Sequence, residues 1–146
     1  LVGDGILKKR CKLELDKFSL NGRFIFTGWR KDISEILDII DIVVLTSKWE
    51  GFPIAIIEAL AKGKPIVATD AGGVRELVKG GIMGYITRPR EYKDTAARIL
   101  SILKDRDSFF KMQEEAFKSI DDSFDISAMA HNMDNLYRSL ATYTEA

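Results

Sequence analysis

Short apolar runs alternate along the chain with segments whose apolar residues recur at helical spacing. Four runs rich in β-branched or aromatic side chains predict strands, at residues 23–26, 42–45, 65–68 and 84–87. The pair Leu1-Val2 is predicted to end a further strand. The second and third runs lack polar alternation, which is typical of strands that are buried on both faces.

Apolar residues three or four positions apart predict helices between and after these strands. Asp32 stands three residues before Glu35, which predicts a capping box at the start of one helix. Pro53 is expected to open the next helix and Gly63 to close it, following the preference for proline at helix starts and glycine at helix ends. A short helix is predicted after Gly72-Gly73.

Apolar stripes mark the remaining helices. The helix before the first complete strand carries Leu7, Cys11, Leu15 and Phe18 near one face. The first helix after Pro89 carries Tyr92, Ala96, Ile99, Leu100 and Leu103. Two more helices are predicted near residues 109–120 and 126–143, and the last carries Met129, Met133, Leu136, Tyr137 and Leu140. These side chains are interpreted as packing residues, with Cys11 as a small core residue.

The order of strands and helices, with short connections, predicts an α/β fold built on a parallel sheet flanked by helices. Right-handed crossovers place the carboxyl ends of all strands at one edge of the sheet. Because ligands of such sheets bind at that edge, a site is expected in the loops that follow the strands. These loops are residues 3–5, 27–30, 46–53 and 69–73.

The composition argues against several classes of function. The chain has 146 residues, with 22 basic and 22 acidic side chains, so no nucleic-acid binding through a basic surface is expected. No apolar run approaches the roughly 20 residues of a membrane-spanning helix, and the first residues do not resemble a signal peptide. A single cysteine cannot form an internal disulfide, which is compatible with a reducing compartment. The length fits one domain, and the opening on the end of a strand predicts a fragment.

The loop 46–53 is the strongest candidate for a ligand site. With Pro53 as the first helical residue, the Ile54 and Ala55 amides have no acceptor inside the helix. They point into the crevice together with the positive end of the helix dipole, which favours a phosphate or another anion. Gly51 lets such a ligand approach the backbone closely. An ordinary turn from strand to helix is an equal alternative.

Two glutamates belong to the same region. Glu58 is the one polar side chain between Pro53 and Ala61, so this helix is expected to be buried nearly all round. A buried carboxylate needs a partner, and Glu58, one turn after Ile54, can accept two hydroxyl hydrogen bonds from a ribose. Glu50, eight positions earlier, can reach groups beyond the phosphates. The alternatives are a solvated Glu58 and a Glu50 that caps the helix.

The spacing from Glu50 to Glu58 resembles the E-x7-E signature of retaining glycosyltransferases, in particular glycosyltransferase family 4. The similarity covers about the first 105 residues, where further segments resemble the family's motifs in the same order. These segments are residues 2–5 (its GDG turn), 24–28 (its F-x-G strand), 41–47, 65–76 and 84–85. Such joint agreement is much more specific than the two glutamates alone.

The family has two facing Rossmann-like domains, the GT-B architecture, and residues 1–146 resemble the C-terminal, donor-binding domain. The resemblance implies that Glu58 binds the donor ribose. It implies that Glu50 acts as a catalytic residue, in contact with the transferred sugar near its anomeric centre. It also implies donor contacts from Gly51, Phe52 and Pro53, from the amides of Ile54 and Ala55, and from the loop Gly28, Trp29 and Arg30 beside the base.

The implied reaction moves a hexose-type sugar, with retention, from a UDP- or GDP-sugar to a glycan, a lipid-linked acceptor or a small acceptor. Amides and basic side chains stabilise the leaving diphosphate, so no metal or other cofactor is expected. The family's Arg and Lys clamp on the diphosphate precedes the GDG turn and is missing from this chain.

The acceptor-binding N-terminal domain is missing as well, so the isolated chain is expected to be inactive. The helices from about residue 91 to residue 143 are expected to pack on this domain. The last helix is expected to reach toward the absent domain, which leaves some of its apolar surface exposed in the isolated chain. A cytoplasmic location is expected, peripheral at the inner membrane surface where the acceptor is membrane-associated.

Two other functions stay open. A nucleotide-sugar epimerase has the same architecture, and residues 69–76 distantly resemble one. A non-catalytic, flavodoxin-like module would only bind a partner or an anion. Gly72-Gly73 either lines the donor pocket or forms a tight turn into the next helix. His131 has no acid or nucleophile near it in the sequence and is interpreted as a surface or packing residue.

Overall fold

The computed structural model describes residues 1–143, and the chain divides into two compact units, Leu1–Ile36 and Leu37–Ala146. The first unit contains helix α1 (Lys8–Lys17) and a 3-10 turn (Asn21–Arg23). Helix α2 (Ile33–Asp38) begins near the carboxyl end of this first unit.

The predicted strand at residues 23–26 does not form. Arg23 belongs to the 3-10 turn, and Gly28, beyond the predicted strand, forms isolated bridges with Val2 and Gly3. The Gly3 amide donates to the Gly28 carbonyl oxygen at 2.9 Å. The Leu1 amino group donates to the Ile25 carbonyl oxygen at 2.8 Å, and the Thr27 amide donates to the Leu1 carbonyl oxygen at 3.1 Å.

The apolar stripe of α1 is not buried, and the prediction of Cys11 as a core residue is wrong. None of the residues of α1 is buried, and Cys11 is exposed. Within its unit, α1 packs against the short 3-10 turn, which is too small to cover a helix face. The Lys12 ammonium lies 5.6 Å from the centre of the Phe26 ring, so one contact of this helix is a cation–π interaction.

The second unit is built on three parallel strands, as predicted. They are β1 (Val43–Leu45), β2 (Ile66–Thr69) and β3 (Gly84–Thr87), in the order β1-β2-β3. Every residue of the central strand β2 is buried. Burial of β1 on both faces was predicted, and this is wrong, because Val44 is 42% exposed. Val44 lies beside Val67 in the sheet, and it lines an open apolar cavity beside helix residues of the same unit.

Five helices accompany this sheet. They are α3 (Ile54–Ala61), α4 (Val74–Leu77), α5 (Tyr92–Lys104), α6 (Arg106–Lys118) and α7 (Ile126–Tyr143), with a 3-10 turn (Asp122–Phe124) before the last. The core on one face of the sheet joins Val67 to Ile102, Phe109 and Met112. Helix α6 begins earlier than predicted because the Asp105 carboxylate caps it, accepting from the Ser108 amide at 3.0 Å.

The buried face of α5 is rotated from the predicted stripe. Thr95 and Ile102 are buried, whereas the predicted packing residues Tyr92, Leu100 and Leu103 are at least half exposed. Thr95 can be buried because its hydroxyl has a polar partner. The hydroxyls of Thr95 and Thr87 lie 2.9 Å apart and share a buried hydrogen bond.

Some exposed apolar surface on the last helix was expected for the isolated chain, and it is observed. The apolar residues of α7, Met129, Met133, Leu136, Tyr137 and Leu140, are exposed. Among residues 1–143, no helix is long and apolar enough to cross a membrane.

Candidate functional site

Two loops meet at the carboxyl edge of the sheet, as the parallel topology predicts. The Glu50 loop (residues 46–53) follows β1, and the glycine loop (residues 69–73) follows β2. The Thr69 hydroxyl donates to the Ser47 carbonyl oxygen, and the Gly73 amide donates to the Gly51 carbonyl oxygen at 3.0 Å. The two loops therefore form one connected surface.

The start of α3 presents free backbone amides. Pro53 is the N-cap, with φ −78° and ψ 96°, so the helix begins at Ile54, one residue later than predicted. The Ile56 amide donates to the Pro53 carbonyl oxygen at 2.9 Å. Within residues 1–143, the Ile54 and Ala55 amides have no hydrogen-bond acceptor. A helix start of this kind can bind an anion.

Helix α3 packs by one face only, so the expectation that it is buried nearly all round is wrong. Its buried residues are Ile56, Ala59 and Leu60, which share one face. Glu58 lies on the opposite, exposed strip together with Ile54, which is 66% exposed. Glu58 thus needs no partner for reasons of desolvation. It nevertheless lies one turn from Ile54, on the strip where the free amides begin.

The Glu50 side chain is half-buried beside Ser47. The Ser47 hydroxyl donates to Glu50 Oε1 at 2.6 Å. Among the described residues 1–143 no side chain caps α3, so the alternative of Glu50 as a helix cap is not realised. Elsewhere in the loop, Phe52 is half-exposed and Pro53 is buried.

The glycine pair serves a purpose that the sequence did not reveal. A Cβ atom at Gly72 would lie 1.7 Å from the Glu50 carbonyl oxygen, and one at Gly73 would lie 2.7 Å from the Gly51 carbonyl oxygen. Gly72 also has a φ of +53°. The two loops can approach this closely only because both residues are glycines. The two predicted roles, pocket lining and a tight turn, did not include this contact.

Besides Glu50, a second carboxylate lies at this edge of the sheet: Asp70, in the glycine loop. It forms an ion pair that the sequence did not predict. Arg75 donates from Nε and Nη2 to the two carboxylate oxygens of Asp70, each at 2.6 Å. These hydrogen bonds, and the charge of Arg75, lower the pKa of the Asp70 carboxyl. The spacing of five residues across a loop carries no helical signal that could have predicted the pair.

The predicted base-binding residues belong to the Leu1–Ile36 unit. Gly28 has a φ of +68°, and Trp29 is 84% exposed. Arg30 donates from Nε to Asp32 Oδ1 at 2.7 Å and also from Nη2 to Oδ2. The hydrogen bonds seen for the Asp32 carboxylate are those from Arg30, and none joins it to Glu35 as the predicted capping box requires.

Three minor predictions concern turns, surface residues and metals. The Gly5 amide donates to Asp4 Oδ1 at 2.8 Å. His131 is exposed, as expected for a surface residue. Residues 1–143 contain no group of three or more His, Cys, Asp and Glu side chains that could hold a metal ion.

Comparison with known proteins identifies the family. Residues 1–119 match the family model of the glycosyl transferases group 1, so the chain belongs to this family. It is 30% identical over 139 residues to N-acetyl-alpha-D-glucosaminyl L-malate synthase of Bacillus anthracis, covering 94% of this chain and 36% of that protein. It is 39% identical over 87 residues to UDP-Gal:alpha-D-GlcNAc-diphosphoundecaprenol alpha-1,3-galactosyltransferase of Escherichia coli, covering 59% and 22%.

A solved structure gives the same result for the fold. Anabaena Alr3699/HepE, crystallised with UDP and with UDP-glucose, superposes with a TM-score of 0.88 at 30% identity, covering 95% of this chain and 40% of that one. The predicted fold class, a Rossmann-like α/β sheet from a GT-B glycosyltransferase, is confirmed. Membership of this family disfavours the epimerase. The chain spans less than half the length of these relatives.

Proposed function

We propose that this chain is the donor-binding half of a retaining glycosyltransferase that uses a UDP- or GDP-sugar. The observation that carries the proposal is the exposed strip of α3, where the unpartnered Ile54 and Ala55 amides lie one turn from Glu58. Support for a nucleotide-sugar donor comes from the similar Anabaena protein, whose structures contain UDP and UDP-glucose.

In the proposed complex, the donor diphosphate lies at the start of α3. The Ile54 and Ala55 amides donate to its oxygens, where the helix dipole also favours negative charge. The Glu58 carboxylate accepts hydrogen bonds from the two ribose hydroxyls, and Glu50 contacts the transferred sugar. The backbone of Gly51, Phe52 and Pro53 borders the sugar.

The reaction exchanges one bond at the anomeric carbon for another. The bond from this carbon to the diphosphate oxygen breaks, and the nucleoside diphosphate leaves with the electron pair. A bond to an acceptor hydroxyl oxygen forms, and the hydroxyl proton is released. Amides that already point toward the leaving group stabilise its developing charge without reorganisation.

The finer parts of the proposal concern the whole protein. We propose that the transferred group is a hexose, that transfer needs no metal, and that the acceptor is held by an N-terminal domain outside this chain. The isolated chain then binds donor without transferring sugar. We further propose a cytoplasmic enzyme, placed at the inner membrane surface if its acceptor is membrane-bound. Transfer that is unchanged after treatment with EDTA would support the metal-free reaction.

Glu58→Ala tests the proposal by calorimetric titration with UDP, GDP and their hexose conjugates. Because the ribose loses a charged acceptor, affinity should fall by about 1.5–3 kcal/mol, or roughly ten- to hundredfold. The matched control is Glu115→Ala, which removes an exposed carboxylate from α6. Equal affinities of both variants and the wild type would contradict the proposal, as would a wild-type protein that binds none of these nucleotides.

A further inference from the structure

The neighbouring strand β2 forms hydrogen bonds with the backbone at the start of the Glu50 loop. The Thr69 hydroxyl, at the end of β2, donates to the Ser47 carbonyl oxygen and also lies 3.4 Å from the Leu45 carbonyl oxygen. Thr69 is buried, so this contact is shielded from water. The backbone of Ser47 is therefore fixed to the sheet.

The other end of Ser47 holds the Glu50 carboxylate. Its hydroxyl donates to Glu50 Oε1 at 2.6 Å, a short distance that is typical of a hydroxyl bonded to a charged oxygen. Within residues 1–143, Glu50 Oε2 has no hydrogen-bond partner. One carboxylate oxygen is thus fixed by the protein, and the second is available to a ligand.

The backbone of Glu50 is confined as well. Gly72 approaches its carbonyl oxygen so closely that a Cβ atom there would lie 1.7 Å away. With the backbone confined by the glycine loop and the side chain held by Ser47, few rotamers of Glu50 remain accessible.

We propose that Ser47 is a positioning residue, which orients the Glu50 carboxylate toward the transferred sugar, and that Thr69 supports it through the Ser47 backbone. This inference rests on the proposed function, since it assigns the free Glu50 oxygen to a sugar hydroxyl. It predicts that Ser47 affects the recognition of the sugar and leaves the recognition of the nucleotide unchanged.

The test uses the longer protein that carries this chain and compares each nucleoside diphosphate with its sugar conjugate. The pairs are UDP with UDP-glucose and GDP with GDP-mannose, measured by calorimetry. We define the ratio as the dissociation constant of the nucleoside diphosphate divided by that of its sugar conjugate. It reports how much the sugar contributes to binding. A merely structural role of Ser47 would weaken both members of a pair equally and leave the ratio unchanged.

Ser47→Ala should reduce this ratio about tenfold, while the dissociation constant of the nucleoside diphosphate stays within about twofold of the wild type. Ser47→Thr keeps a hydroxyl at the same position and should restore most of the ratio. Ser101→Ala, which removes an exposed hydroxyl from α5, is the matched control and should have no effect.

Several outcomes would overturn the inference. They are equal weakening of both pair members by Ser47→Ala, an unchanged ratio, or failure of Ser47→Thr to restore it. A wild-type protein that binds none of the four compounds would instead refute the proposed function, and this inference with it.

Discussion

Two carboxylates at the same edge of the sheet are held in different ways. Asp70, in the glycine loop, receives two hydrogen bonds from Arg75, one on each oxygen. Glu50, in the neighbouring loop, receives one hydrogen bond from Ser47 on a single oxygen. Arg75 also provides a positive charge that compensates the Asp70 carboxylate, whereas Glu50 is bonded to a neutral hydroxyl.

The difference separates a structural carboxylate from one that can bind a ligand. A carboxylate in a bidentate pair with arginine has its main acceptor positions occupied and its charge balanced. A carboxylate that is bonded to one hydroxyl has no cationic partner in that bond and retains much of its capacity to accept hydrogen bonds. Position at the carboxyl edge of a parallel sheet is therefore not enough to identify a ligand-binding side chain. The hydrogen-bond partners of the side chain determine how many acceptor positions are left for a ligand.

The largest effect is expected from Gly72→Ala, which separates the two loops that carry these carboxylates. The new Cβ atom would meet the Glu50 carbonyl oxygen at 1.7 Å, and alanine is strained at a φ of +53°. We expect a loss of about 3 kcal/mol in the free energy of unfolding, measured by urea denaturation.

Gly80→Ala is the matched control for that experiment. Nothing lies within 4 Å of a Cβ atom at Gly80, so its stability should stay within about 0.5 kcal/mol of the wild type. Comparable losses in both variants would show that the loops are not closely packed.

The next effect distinguishes the two carboxylates by function. In the longer protein, Glu50→Gln should lower kcat/KM for sugar transfer at least about tenfold, since the sugar loses a charged acceptor. Asp70→Asn should leave kcat/KM within about twofold of the wild type. Glutamine retains an oxygen that can accept from Ser47, so the loop should keep its structure. Equal losses in the two variants, measured in a transfer assay, would contradict the distinction.

The smallest effect is the pH dependence contributed by Asp70. Because its pKa is lower in the folded chain than its ordinary value of 3.8, its ion pair stabilises the fold above that pH. The contribution is lost as the pH falls through the lowered pKa. The stability difference between wild type and Asp70→Asn should therefore be present at neutral pH and shrink as the pH falls below 3.8.

Denaturation of both proteins at neutral pH and at a series of pH values below 3.8 checks this prediction. Other acidic groups titrate alike in wild type and variant, so they cancel in the difference. A difference that stays constant with pH would show that the ion pair with Arg75 contributes nothing to stability.

The sequence predicted the elements whose signals are local. Parallel strands β2 and β3, the helix after Pro53 and the helix at residues 126–143 follow from short apolar runs, punctuating Pro and Gly residues and helical spacing. The spacing of Glu50 and Glu58, together with the surrounding motifs, was sufficient to indicate the family.

Burial and partners could not be predicted in the same way. Helices α1 and α6 both have apolar stripes, yet α1 buries none of its residues while α6 buries Phe109, Met112 and Ala116. Periodicity states which residues share a face, but it does not state whether another element covers that face. The same limit led to the wrong expectations for Cys11 and for the burial of α3.

The sequence alone determined which residue types stand at the sheet edge and at the start of α3, because strand order and helix boundaries arise from short-range patterns. Only the tertiary structure decided that Ser47 holds Glu50, that Arg75 neutralises Asp70 and that Gly72 must lack a side chain. The last of these contacts joins residues 22 positions apart, and it forms only when two parallel strands bring their loops to one edge of the sheet.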